Sequence, residues 1–212
     1  MKRLRYLIVS LCICHPLLSY AASPVCQQQA CTEFTLKTWK DRRDMQVVKQ
    51  DFDFSCGAAA LATVLNGFYG ISKTEQQILM DMNKEDGKAS FADMANVVEK
   101  YGFSSNGVAL NYETLTRLKV PVIVYLEHRK DSHFSVLKGI SKTHVQLADP
   151  SWGNRILSND EFLAMWETRS DTQAKGKILI IQPVSQSVVM QSNFWQPPQP
   201  NELLTQKVFW RL

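Results

Sequence analysis

Gln50-Asp51-Phe52-Asp53-Phe54-Ser55-Cys56-Gly57-Ala58-Ala59-Ala60-Leu61-Ala62-Thr63-Val64-Leu65 is the stretch whose reading decides the fold. A polar amide is followed by a short aromatic and acidic turn. A helix of small and apolar residues then begins at Ser55 or Cys56. A helix N-terminus carries unpaired N–H groups and a partial positive charge, and both favour thiolate over thiol. Ala58 to Ala62 have almost no side-chain bulk, so the helix can pack closely against a sheet. Gly57 lets a neighbouring backbone or a substrate approach the sulfur. Taken alone, Cys56 reads more simply as a buried, inert cysteine on an apolar helix, because free Cys is among the most buried residue types. The rest of the chain has to decide between the two.

Upstream of this stretch lies an export pattern. Lys2, Arg3 and Arg5 precede an apolar run from Leu7 to Leu18, broken by His15 and Pro16, and Ser19-Tyr20-Ala21 forms a small-x-Ala cleavage site. Residues 1–21 therefore read as a secretory signal peptide, too short for a membrane span, with cleavage after Ala22 fitting nearly as well. The 212-residue chain is 45% hydrophobic and 21% charged, an ordinary globular composition that suggests one domain. It carries 24 Lys+Arg and 20 Asp+Glu; three of the basic residues fall in the signal, which leaves a mature net charge of +1. That balance excludes a nucleic-acid or acidic-membrane partner as the default reading. No later stretch approaches the apolar length of a membrane helix, so no span is expected after cleavage. Cleavage also removes Cys12 and Cys14. In an oxidising compartment the close pair Cys26 and Cys31 is expected to form a small disulfide loop, leaving Cys56 as the odd thiol. The plainer alternative is that all three stay reduced. A single C-x4-C pair is a poor zinc signature.

Downstream, helix signals come first. Residues 22–44 read as an extended polar arm, and Met45 to Gln50 has strand character. The Cys56 helix should stop near Asn66-Gly67. Ser72-Lys73-Thr74-Glu75 reads as a capping box opening a helix to about Met82. Ser90 caps a helix with apolar spacing through Met94, Val97, Val98 and Tyr101, stopped by Gly102. Asn111 caps a short helix to Leu118. Strand signals follow at Val120 to Leu126, at His133 to Ile140 with Thr143 to Asp149 as a hairpin, and at Lys177 to Val184. Pro150 to Asn154 reads as a turn, and Ser158 caps a helix through Trp166. Helices followed by antiparallel strands make an α+β domain over about 45–184. Residues 185–212 read as a Gln/Pro-rich tail with a short terminal helix from Leu203. That helix would dock on its own domain or serve a partner.

Three positions change the reading of Cys56. His133 opens a strand where it meets solvent, and a His facing Cys56 could take its proton and hold a thiolate–imidazolium pair. Asp149 closes the partner strand and could fix the imidazole's tautomer and orientation. Gln50 could join the Cys56 backbone N–H in stabilising an oxyanion. Singly, each has a plainer reading: a structural histidine at a strand start, a turn-forming Asp before Pro, a surface amide. Together they form an ordered set: Gln50 with Ser55-Cys56-Gly57-Ala58-Ala59-Ala60-Leu61, then His133-Phe134-Ser135-Val136-Leu137-Lys138-Gly139, then Val145-Gln146-Leu147-Ala148-Asp149-Pro150-Ser151-Trp152-Gly153, with Glu161-Phe162-Leu163-Ala164-Met165-Trp166 beyond. On these motifs the chain resembles the C39 cysteine peptidases over about residues 45–183.

The resemblance implies a papain-like fold with N-terminal helices packed on an antiparallel sheet. It implies Cys56 as nucleophile, His133 as base and acid, Asp149 as orienter and Gln50 as oxyanion donor, with no cofactor and no metal. Family members often sit at the front of ATP-driven exporters and cut leader peptides after a Gly-Gly pair. This chain departs from them in having no membrane helices and no G-x-x-x-x-G-K-[ST] loop, so no ATP binding is expected. It looks more like the stand-alone exported members, periplasmic or secreted in bacteria, some of which accompany secretion of functional amyloid. The function implied is an exported thiol endopeptidase acting on a secreted protein or leader peptide. The alternatives are a non-catalytic binding or chaperone module for export substrates, and acyl transfer of the transglutaminase kind. His128 and His144 read as solvated loop residues, and Trp152 and Trp166 as core or cleft wall.

Geometry sharpens the reading. Side chains alternate faces along a strand. A hairpin closed by Ser141 and Lys142 alone would pair His133 with Pro150 and turn Asp149 to the wrong face. A three-residue loop, Ser141 to Thr143, or a bulge with the same effect, is therefore expected. Asp149 should then lie within about 3.5 Å of one imidazole nitrogen and the Cys56 sulfur within about 4 Å of the other.

Overall fold

The structure is a computed structural model that describes residues 22–27, 30–35, 37–84, 87–128 and 131–198, with the backbone alone over 22–35. The signal peptide, the side chains of Cys26 and Cys31 and the terminal helix lie outside the described residues. The chain divides after Thr38 into two compact units. In the first, β1 (Ala22–Gln27) and β2 (Ala30–Thr35) pair antiparallel, with Cys26 opposite Cys31 in the backbone register. The segment read as an extended arm is thus a hairpin followed, in the second unit, by the short helix α1 (Trp39–Arg43).

The second unit is a helical layer followed by a six-stranded sheet, the α+β arrangement the sequence implies. Helices α2 (Cys56–Gly67), α3 (Glu75–Met82) and α4 (Phe91–Lys100) come first. Strands β3 (Phe103–Leu110), β4 (Val122–His128), β5 (Asp131–Ile140), β6 (His144–Asp149), β7 (Gly153–Ser158) and β8 (Gly176–Pro183) form one sheet in the order β3-β8-β4-β5-β6-β7, antiparallel throughout. The short α5 (Tyr112–Thr116) precedes β4, and α6 (Asn159–Trp166) joins β7 to β8.

Local chemistry sets the helix starts. Thr74 with Gln77, Ser90 with Asp93 and Ser158 with Glu161 each form a reciprocal capping box. The box of α3 is therefore Thr74/Gln77, two residues after Ser72. Helix α2 has no such box. Its small side chains let it sink between the helical layer and the sheet, with Ala58, Ala59, Ala60 and Ala62 wholly buried. A Cβ on Gly57 would stand 2.9 Å from the Ala89 Cβ, so only glycine permits this approach.

The sheet is buried on both faces. Toward α2, α3 and α4 it presents Ile123, Phe134, Val136, Ala148, Leu179 and Ile181. Toward α6 it presents Val122, Val124, Leu126, Leu137, Leu147 and Ile178, covered by Phe162 and Trp166, whose rings stack at 5.4 Å. Each such fully buried side chain stabilises the fold by about 2 kcal/mol.

The structure departs from the sequence reading in three further places. Met45 to Gln50 is no strand. Its backbone is tied by single bonds, Val48 N–H to Thr63 Oγ1 at 2.9 Å and Gln50 N–H to the Pro150 carbonyl at 3.2 Å. Strands β3 and β7, absent from that reading, are the two edges of the sheet, and each has only Gly and polar or half-buried residues beyond one or two anchors. Finally, residues 185–198, set apart by composition, pack against the same unit: Phe194 is wholly buried, and Gln196 N–H bonds to the Lys138 carbonyl at 2.8 Å. Among the described residues, no helix is long and apolar enough to cross a membrane.

Candidate functional site

The loop before α2 puts Cys56 at the first helical position. Ser55 N–H and Oγ both donate to the Phe52 carbonyl, at 3.2 and 2.8 Å, and Phe52 N–H donates back to Ser55 Oγ at 3.2 Å. Because its hydroxyl is spent on this turn, Ser55 occupies the N-cap without capping the helix. The first N–H groups of α2 are therefore left for something else. The Gly57 N–H, and the Phe134 N–H from β5, act on the Cys56 thiol and favour its charged form.

β5 and β6 bring the other two groups. Their ladder runs Ile140↔Val145 and Gly139↔Gln146, then Leu137↔Leu147 and Val136↔Ala148, with Lys138 as the extra residue of a bulge. The turn closes through Ser141 N–H to the His144 carbonyl at 2.8 Å, so the hairpin loop is the two residues Lys142 and Thr143. An unbroken ladder from that turn would place Asp149 on the opposite face from His133. The bulge corrects the phase, as Leu137 and Ile140, three residues apart, both facing α6 makes plain. Of the two devices expected, the protein uses the bulge and not the three-residue loop.

His133 Nε2 lies 3.1 Å from Asp149 Oδ1. The same imidazole and the Cys56 thiol act on each other electrostatically, lowering the thiol and raising the ring. Asp149 Oδ1 accepts two further bonds, from Ser151 N–H at 2.9 Å and Trp152 N–H at 3.0 Å, and these fix the carboxylate before any histidine reaches it. Its other oxygen faces Arg155 Nη1 at 3.9 Å.

The charges follow from these contacts. Burial pushes the Cys56 thiol up, but the His133 imidazole and the Phe134 and Gly57 N–H groups outweigh it and hold the thiol below its ordinary range. Burial pulls His133 down, but Asp149 and Cys56 raise it to about 9. Burial likewise opposes ionisation of Asp149, and the bond to His133, the Trp152 N–H and the Arg155 charge hold its carboxyl below the usual range. With the thiol lowered and the imidazole raised, both shifts favour a thiolate–imidazolium pair beside a carboxylate.

Gln50 ties the two loops together. Its Nε2 donates to the Phe52 carbonyl at 2.9 Å, its Oε1 accepts from Ser151 Oγ at 2.7 Å, and its backbone N–H reaches the Pro150 carbonyl. The Phe52 carbonyl requires an N–H partner, so the amide's orientation is fixed. One Nε2 hydrogen is used by the Phe52 carbonyl, and an amide nitrogen carries a second.

Sequence reasoning missed Ser151, Arg155 and Glu75. Glu75 looks like an ordinary first-turn acid of α3, yet it is 3% exposed and takes the Asp51 N–H with both oxygens, at 3.0 and 3.1 Å. Burial pushes its carboxyl above the usual range, against the pull of Ser55 and the Asp51 N–H. A partner 24 residues away leaves no local sequence signal. Two exposed aromatics, Phe52 and Trp152, stand on the loops joined by Gln50.

The profile of the Peptidase C39 family matches residues 44–186. The chain is 37% identical over 135 residues to a probable functional amyloid protease, FapD, of Pseudomonas fluorescens, a match covering 60% of this chain and 59% of that protein. It is 32% identical over 173 residues to the protein of the same description from Pseudomonas aeruginosa, covering 77% of this chain and 76% of the relative. Among solved structures, a double glycine motif protease from an AMS/PCAT transporter, in complex with the leader peptide, superposes with a TM-score of 0.54 at 26% identity, covering 65% of this chain and 90% of that one.

Proposed function

Because the chain belongs to the Peptidase C39 family, we propose that it is an exported thiol endopeptidase that cuts a secreted polypeptide through Cys56, His133, Asp149 and Gln50. The observation that carries this reading is the His133 imidazole, held by Asp149 at 3.1 Å and electrostatically paired with the Cys56 thiol.

The chemistry runs as follows. The Cys56 thiolate attacks the scissile carbonyl, and the oxyanion that forms is met by the Cys56 N–H and the second Nε2 hydrogen of Gln50. His133, already protonated at neutral pH, gives its proton to the leaving amine, and the C–N bond breaks to leave a thioester on Cys56. The imidazole, now neutral, takes a proton from water, whose oxygen attacks the thioester. Collapse releases the acid and restores the thiolate–imidazolium pair. Asp149 holds the ring in place for both proton transfers, and being pinned by two backbone N–H groups, it need not reorganise between them.

The export step rests on residues 1–21. The FapD relatives favour a substrate within a functional-amyloid secretion system, and the leader-peptide complex of the solved relative favours a peptide substrate, with the exposed Phe52 and Trp152 as candidate contacts. Mapping the N-termini of the exported proteins of cells that carry wild type or Cys56→Ala tests this. The expected result is a set of internal N-termini in a secreted subunit that vanishes in the variant. Identical N-termini in both strains would overturn the peptidase reading.

A further inference from the structure

We propose that Glu75 is a positioning residue of the oxyanion site, acting through Gln50. The inference rests on the reading of Gln50 as oxyanion donor. Glu75 is buried to 3% exposure at the start of α3. A buried carboxylate is costly unless its bonds are made, and this one spends both oxygens on a single N–H, that of Asp51. The Ser55 hydroxyl lies beside the same carboxylate.

The geometry gives that expense a purpose. Asp51 sits between Gln50 and Phe52, and the Phe52 carbonyl is the acceptor that fixes Gln50 Nε2. The same carbonyl receives Ser55 N–H and Oγ, immediately before Cys56. Three groups therefore share one small turn: the amide that would meet the oxyanion, the carbonyl that aims it, and the residue preceding the nucleophile. Glu75 grips that turn at its only charge-assisted backbone bond among the described residues. From outside, Gln76 Nε2 adds a bond to Asp51 Oδ2 at 3.2 Å. Loss of the grip lets the peptide at Asp51 rotate, and Gln50 Nε2 drifts while Cys56, held by α2 and β5, stays.

This separation makes the role testable with two small reagents. Acylation by p-nitrophenyl acetate passes through a tetrahedral oxyanion: the Cys56 C–S bond forms, the ester C–O bond breaks and p-nitrophenolate leaves. Alkylation by iodoacetamide is a displacement at carbon with iodide leaving, and it needs the thiolate but no oxyanion donor. Glu75→Gln keeps the shape and one acceptor, and its folding is checked by thermal unfolding; Glu75→Asp is the second variant if Gln unfolds. Removing an oxyanion donor outright costs about 10²–10³-fold. Glu75→Gln should therefore slow acylation by about tenfold or more, leave alkylation within about twofold, and add no further loss in a Gln50→Ala background. Equal slowing of both reactions, unchanged acylation, or an undiminished effect in the Gln50→Ala background would overturn the positioning role alone. Unchanged acylation in Gln50→Ala itself would overturn the reading of Gln50, and the role of Glu75 with it.

Discussion

At its N-terminal end α2 offers Cys56 to a ring of polar groups, and at its C-terminal end Gly67 lies flat against the Phe194 ring, where a Cβ would come within 2.2 Å. The first end is held by directed bonds between residues far apart in sequence: Asp51 to Glu75, Ser151 to Gln50, His133 to Asp149. The second is held by a buried aromatic and a short clasp, Gln191 N–H to the Phe68 carbonyl at 2.7 Å. One helix thus separates two jobs. Directed bonds set angles and contribute modestly to stability, about 1 kcal/mol each, whereas burial of a large ring contributes more and fixes no angle. Variants at the two ends should therefore fail in different ways.

Asp149→Asn gives the largest effect. The amide keeps an oxygen for the Ser151 and Trp152 N–H groups, so the turn survives, but the charge that raises His133 is lost. Peptidase kcat should fall by about 10²–10⁴-fold while the protein stays folded, losing only the stability that His133 draws from its raised value, read by steady-state kinetics and calorimetry. Loss of folding in parallel with activity would erase the distinction between the two ends. Phe194→Ala is the converse. It should cost about 3–5 kcal/mol in denaturant unfolding and leave activity per folded molecule intact. A fall in kcat for the folded variant would show that the two ends are coupled along the helix.

A smaller, graded effect follows from pH. The acid limb of kcat/KM should lie below the ordinary thiol range, because the lowered Cys56 must ionise. The basic limb should lie near 9, where His133 loses its proton. Stability moves with the same group. A raised folded-state value means that the His133 contribution is fully present below 6.5, its ordinary value, and is lost as pH rises through about 9. Phe194→Ala should keep both limbs, and Asp149→Asn should pull the basic limb down. Least consequential for either end is the Cys26–Cys31 pair. Mass spectrometry of the exported protein without reduction should find one bridge and one free thiol, Cys56. A bridged Cys56 would make the thiol end redox-gated.

Much of this contrast is legible in the sequence, for uneven reasons. The helices announce themselves because Thr74, Ser90 and Ser158 cap with side chains three residues apart, a local signal. The inner strands β8, β4, β5 and β6 are legible because they are buried, β4 as a continuous apolar run and β5 with β6 as an alternating hairpin. The edge strands β3 and β7 have one neighbour each and so little demand for apolar residues that their sequences resemble loops. Val47-Val48 misleads in the other direction, since its β-branched pair meets Thr63 and not another strand. Cys56, His133 and Asp149 are legible because their motifs are ordered along the chain and alternation then puts two of them on one face. Glu75 is not, because what makes it special is a backbone N–H far away in sequence.

The bulge at Lys138 carries a consequence for how this hairpin tolerates insertion and deletion. The pairs on either side of Lys138, Leu137↔Leu147 and Gly139↔Gln146, are adjacent on β6, so the ladder is what it would be had that residue never been there. β5 has in effect swallowed a one-residue insertion without passing the shift on to His133. The surplus residue has found other employment: its carbonyl receives Gln196 and its ammonium lies 5.5 Å over the Phe194 ring. Excision of Lys138 should accordingly spare the His133–Asp149 register while unfastening the segment that closes the far end of α2. A single codon lost at this point would thus loosen the C-terminal end of α2 and stay silent at the His133–Asp149 pair.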